Sequence, residues 1–119
     1  MQMGLQVYVV GDVTTPAIGK GDLLIVVSGS GETEITHHIA SRAKSFGASV
    51  FLLTARAASR IGYISDVVLV FPDAPQPVLP LKSPFEDAVY VFLDAVIILI
   101  MEKAGITEQE MMRRHSNLE

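Results

Sequence analysis

Cysteine is absent from the 119 residues of this chain. Disulfides, thiolate nucleophiles and cysteine zinc sites are therefore excluded. Charged residues are sparse, at 18%, and their balance is acidic, with a formal net charge of −4. No basic stripe exists to neutralise phosphates along a backbone, which argues against nucleic acid as a partner. No apolar run is long enough to span a bilayer. The longest, near Val89–Met101, is too short and is interrupted by Asp94. Met1-Gln2-Met3-Gly4-Leu5 lacks the charged and apolar regions of a signal peptide. Internal repeats and low-complexity tracts are also missing. The expectation is a cytoplasmic protein with no membrane attachment, folded as a single domain over 1–119. Half of the residues are hydrophobic, which rules against disorder and leaves apolar surface for subunit contacts.

What is present is an alternation of strand-like and helix-like segments. Leu5–Val10 is β-branched and closed by Gly11-Asp12, so it reads as a strand. Thr15-Pro16 has the form of a cap and first helical residue, predicting one short turn over Pro16–Gly19. Leu23–Ser28, Ser49–Thr54 and Val67–Phe71 read as three further strands. Glu32–Phe46 carries Ile35, Ile39, Ala43 and Phe46 at helical spacing, with Gly47 as its stop. Ser59 is placed to cap a short helix, Arg60–Ile64. Asp73–Ser83 is a loop stiffened by Pro75, Pro77 and Pro80. Pro84–Ala104 is a long helix, apolar nearly all round, with Gly105 as its stop, and Thr107-Glu108-Gln109-Glu110 has the form of a capping box. This order predicts an α/β fold with a doubly wound, mostly parallel sheet of about four strands.

The strand Leu23–Ser28 runs into Ser28-Gly29-Ser30-Gly31-Glu32-Thr33, and a helical pattern follows at once. Glycines let a backbone approach a ligand closely. The first amides of the helix point outward with the positive end of its dipole. Ser28, Ser30 and Thr33 add hydroxyl donors. A phosphate ester fits such a place without a lysine or a metal. The segment lacks the Lys-Ser/Thr ending of a P-loop and the glycine spacing of a dinucleotide fold.

Other groups can reach the carboxyl edge of such a sheet, where ligands bind. They are Thr54, Arg56 and Ser59, then Ser83 and Glu86, then the tail Arg113-Arg114-His115-Ser116-Asn117. A carboxylate such as Glu86 in a first helical turn favours the helix dipole, and that alone suffices to explain it. Asp94, within Phe92-Leu93-Asp94-Ala95-Val96, must find a partner or protonate if it is buried. His37 and His38 are adjacent on a helix, poor geometry for one metal ion, and read as solvated surface. Met101, Met111 and Met112 read as core or interface filler.

Ser28-Gly29-Ser30-Gly31-Glu32-Thr33 resembles the central signature of the SIS (sugar isomerase) domain. One branch, the 6-phospho-3-hexuloisomerases, is similar over nearly the whole chain. The matching segments are Val9-Val10-Gly11-Asp12 with Thr15-Pro16-Ala17-Ile18, Gly21-Asp22-Leu23-Leu24 and Ser65-Asp66-Val67-Val68. Pro80-Leu81 with Ser83 and Phe85-Glu86, Phe92-Leu93-Asp94-Ala95, and Arg114-His115-Ser116-Asn117-Leu118-Glu119 complete the set. The resemblance implies a cofactor-free, metal-free isomerase. It would interconvert D-arabino-hex-3-ulose 6-phosphate and fructose 6-phosphate in the ribulose monophosphate route, through a cis-enediol. By the same resemblance Glu86 is the base and His115, its own or a neighbouring subunit's, shuttles hydroxyl protons. Ser28, Gly29, Ser30, Gly31, Glu32 and Thr33 would bind the substrate phosphate, with Thr54, Ser59 and Ser83 as further contacts. A homo-oligomer, dimer or tetramer, is implied.

Against that family the chain lacks the usual N-terminal third, including a strand that lies between the counterparts of Leu5–Val10 and Leu23–Ser28. The expectation is that these two strands pair directly or that a neighbouring chain fills the gap. Two other classes stay open: a sugar-phosphate-binding or regulatory module without turnover, and an inactive remnant. Glu86 and His115 discriminate, since a pure sensor needs neither.

Overall fold

The computed structural model describes residues 5–71, 84–105 and 107–113. The chain divides into two units, Ala17–Tyr90 and a second made of Met1–Pro16 with Val91–Glu119.

Ala17–Tyr90 holds the sheet. Its strands are β1 (Leu23–Val27), β2 (Ser49–Thr54) and β3 (Val67–Val70), all parallel, in the order β1-β2-β3. The helices α1 (Glu34–Ser45) and α2 (Arg60–Ile64) form the two crossovers. Ile25 lies opposite Phe51, and Phe51 opposite Val67. Alternate strand residues face one core: Leu24, Val26, Val50 and Leu52 pack with Ala40 and Ala43 of α1 and Ile61 of α2. The small alanines let α1 lie close to the sheet. Of the expected face, Ala43 is buried and Ile39 packs against the core. Ile35 and Phe46 are exposed, and the Arg42 guanidinium lies over the Phe46 ring at 5.0 Å. Helix α1 ends at Gly47, whose φ of +88° is the left-handed conformation that a helix stop needs.

Asp66 fastens the entry to β3. Its carboxylate accepts from Lys44 Nζ at 2.7 Å and from the Val50 amide at 2.7 Å. The Lys44 bond first, and the Val50 amide second, hold its pKa below the ordinary aspartate value. A depressed folded pKa gives stability that is present above the unfolded pKa and lost as pH falls through the folded one. Asp66→Asn is therefore expected to lower the thermal midpoint at neutral pH, and the difference from the parent should close below about pH 4. Parallel melting curves from pH 7 to 3 check this. A gap that persists undiminished at the acid end would contradict it.

Two expectations at the N-terminal side are corrected. Leu5–Val10 joins no sheet, so the sheet has three strands rather than about four. A strand needs a ladder partner, and Leu5–Val10 has none among the described residues. β1 pairs with β2, and no strand borders its other edge among the described residues, so direct pairing of the two flanking segments does not occur. Pro16–Gly19 forms no helical turn either. Thr15 Oγ1 donates to Val9 O at 2.6 Å instead of capping, and the Gly19 amide donates to the Asp22 carboxylate at 2.8 Å.

The helix α3 (Pro84–Ala104) has the expected bounds, and α4 (Glu108–Arg113) begins where the Glu110 amide donates to Thr107 Oγ1 at 3.2 Å. Phe85 and Val89 are buried, whereas Tyr90, Val91, Ile98 and Leu99 are exposed. The all-round burial expected of α3 is thus not found within one chain. Asp94 is exposed as well, which removes the burial that would have forced it to pair or protonate. Among the described residues no helix is long and apolar enough to cross a membrane.

Candidate functional site

The loop between β1 and α1 is shaped from inside by Ser28. The Ser28 amide donates to Leu53 O at 3.0 Å, carrying the parallel ladder one residue beyond β1. Its buried hydroxyl then accepts from the Gly31 amide at 3.1 Å and lies 3.4 Å from Thr33 Oγ1. Gly31 sits at φ +68°, with the Ser59 side chain packed where a Cβ would project. The Glu32 amide donates to Ser30 Oγ at 3.1 Å.

Thr33 is the N-cap of α1, yet its side chain makes no capping bond. A cap of this type normally satisfies one early helical amide and contributes about 1 kcal/mol. Here the hydroxyl leans toward Ser28, and the first amides of a 12-residue helix are left open. The Ser30 and Thr33 amides also meet no protein acceptor among the described residues. Ser30 and Thr33 are exposed while Ser28 and Gly31 are buried, so the open donors lie on the solvent side. The arrangement can hold an anion on amides and hydroxyls.

The segment 54–61 backs the loop. Gly29 O accepts from the Ala55 amide at 3.0 Å and from Thr54 Oγ1 at 3.2 Å, and Gly31 O accepts from the Ile61 amide at 3.0 Å. Thr54 is fully buried, and its hydroxyl also accepts from the Arg56 amide at 3.3 Å. Its single proton is given to Gly29, so it braces the loop. Ser59 caps α2 as expected, accepting from the Gly62 amide at 3.0 Å. His38 is exposed, and His37 Nδ1 lies 3.5 Å from the Arg60 guanidinium.

Glu86 lies in the first turn of α3 and is exposed. Its neighbour Phe85 is buried, with its ring 6.3 Å from that of Phe71, edge to face. The same ring lies about 3.5 Å from where a Cβ on Gly29 would stand. Phe85 thus sets the start of α3 against the β1–α1 loop, and with it the backbone of Glu86. Sequence reasoning gave Phe85 no part in this. Its signal was an aromatic directly before the carboxylate, at a helix start. Ser83, the proline-rich loop, Arg114 and His115 lie outside the described residues.

Residues 7–99 match the family model of the SIS domain. The 3-hexulose-6-phosphate isomerase of Bacillus subtilis (strain 168) is 39% identical over 127 residues, covering all of this chain and 69% of that protein. A crystal structure from Methanococcus jannaschii, for which a function of 3-hexulose-6-phosphate isomerase has been inferred, superposes with a TM-score of 0.85 at 32% identity. That match covers 99% of this chain and 66% of the other. The Vibrio vulnificus NanR protein complexed with ManNAc-6P is similar with a TM-score of 0.63 at 26% identity, over 80% of this chain and 36% of that one. The chain thus spans about two thirds of the length of the first two.

Proposed function

Because the chain belongs to the SIS domain family, we propose that it binds a phosphorylated ketose and interconverts D-arabino-hex-3-ulose 6-phosphate and fructose 6-phosphate. The observation that carries this reading is the uncapped start of α1, where Thr33 turns its hydroxyl away and leaves the helical amides to a ligand. The phosphoryl group sits on those amides, on the Ser30 and Thr33 amides and on the Ser30 hydroxyl, within the segment Ser28 to Thr33. Phosphosugar ligation by a similar fold supports the choice of ligand.

In the reaction, a base takes the proton from C2 of the 3-ketose. The electron pair forms the C2–C3 double bond of a cis-enediol as O3 gains a proton. Loss of the O2 proton then restores a carbonyl at C2, and the base returns its proton to C3. Glu86 is the base, since it directly follows the buried Phe85 that abuts the loop. His115 moves the hydroxyl protons, and Ser59 and Ser83 are further sugar contacts. The apolar residues that β1 and α3 leave exposed, among them Ile25, Val91 and Ile98, support a homo-oligomer, and the cytoplasm is its proposed location.

Ser30→Asp tests the cradle by placing a carboxylate where the phosphate is to sit. Fructose 6-phosphate affinity, measured by titration calorimetry, is expected to fall at least about 100-fold. Fructose without its phosphate is expected not to compete. Undiminished affinity in the variant, or equal competition by fructose, would place the ligand elsewhere.

A further inference from the structure

Glu32 is the charged residue of the loop, and its carboxylate is turned away from the open amides. Oε1 accepts from the Arg60 amide at 3.0 Å, the first residue of α2. The Arg60 guanidinium reaches His37 Nδ1 at 3.5 Å. We infer that Glu32 is a positioning residue: its carboxylate straps the phosphate loop to the first amide of α2 and stays off the phosphoryl group. This rests on the phosphosugar reading of the same loop.

Three acceptors tie the loop to the segment behind it. They are Gly29 O on Ala55 and Thr54, Gly31 O on Ile61, and Glu32 Oε1 on Arg60. In a trans peptide the carbonyl and the following amide point in opposite directions. Holding Gly29 O inward therefore turns the Ser30 amide outward, toward a ligand. The Glu32 bond adds a charge-assisted tie at the other end of the loop, directly before Thr33. Its direction also suits the electrostatics. A carboxylate among the open amides would repel a phosphate dianion, whereas at the start of α2 it meets an unpaired helical N–H.

The bond can be removed from either side. Glu32→Ala deletes the acceptor. Arg60→Pro deletes the donor, and proline fits there because Arg60 is the first residue of α2 and Ser59 before it is extended, at φ −155° and ψ 161°. Arg60→Ala removes the guanidinium and keeps the amide. Two readouts are taken on the full chain: amide hydrogen exchange at Gly31 and Ile61 without ligand, and calorimetric affinity for fructose 6-phosphate.

E32A and R60P are each expected to speed exchange at both amides and to weaken binding roughly tenfold. The double variant should be no worse than either single one. E32Q, which keeps an acceptor oxygen, should recover affinity to within about threefold of the parent, and R60A should also stay within about threefold. The thermal midpoint identifies any variant that has simply failed to fold. Exchange unchanged in both E32A and R60P would overturn the strap, as would tighter binding in E32A or fully additive losses. If the parent bound no fructose 6-phosphate, the proposed function would fall, and the exchange rates alone would decide whether the strap exists.

Discussion

Replacing Glu86 by glutamine is expected to lower turnover of hexulose phosphate by about 10²–10⁴-fold, the range a positioned general base supplies. Glutamine keeps the shape of the side chain and removes its ability to accept the C2 proton. Fructose 6-phosphate affinity should change little, because the proposed phosphate cradle is the β1–α1 loop and not α3. The competing explanation of Glu86 is electrostatic. It lies in the first turn of α3 beside Asp87, where negative charge suits the helix dipole. That role predicts a different result: a small loss of stability, about 0.3–1 kcal/mol, with turnover intact. Rates and melting curves on the same preparations separate the two. A parent chain that binds fructose 6-phosphate without converting it would support the non-catalytic module instead.

Gly31→Ala is expected to do the largest structural damage of any single methyl group added to the loop. Two costs coincide at this position. The backbone lies at φ +68°, which an L side chain adopts at about 1–2 kcal/mol. The new Cβ would also run into both the Cβ and the Oγ of Ser59. Ser59 cannot step aside freely, since its hydroxyl caps α2 through Gly62 and its backbone enters the helix. Overpacking of this kind costs a further ~1–3 kcal/mol. The sum is a loss of about 2–5 kcal/mol in unfolding free energy, with fructose 6-phosphate affinity reduced beyond about 100-fold as the loop opens. Denaturant titration and calorimetry check both. Adding Ser59→Gly should return part of the stability by clearing the clash, while the φ cost stays. A G31A protein as stable and as tightly binding as the parent would mean that the loop is softer than its hydrogen bonds imply.

The elements that were legible in the sequence are those whose signals are local. β1, β2 and β3 are short apolar runs, β1 and β3 entered directly from Asp22 and Asp66, and α3 is a long run without a breaker before Gly105. Ser59 was readable as a cap because capping acts within three residues, here on Gly62. Leu5–Val10 shows the limit of such reading. Its composition is that of a strand, but a ladder is made by two segments, and composition cannot supply the second. The buried face of α1 shows another limit. Ala43 and Ile39 of the expected face do pack on the core, but Ile35 and Phe46 do not, and Ala40, which the pattern omitted, is fully buried because close contact with the sheet favours small side chains.

By itself the sequence determined the parallel α/β order, the SIS family and the glycine-serine turn between β1 and α1, because hydrophobic period and turn chemistry are written in neighbouring residues. Only the tertiary structure decided which groups in that loop are open and which are occupied. Ser28 and Thr54 hold the backbone from inside, and Glu32 reaches Arg60, 28 residues away along the chain. Those partners meet because parallel strands return the chain to the same edge after each crossover, bringing together segments that no local pattern relates.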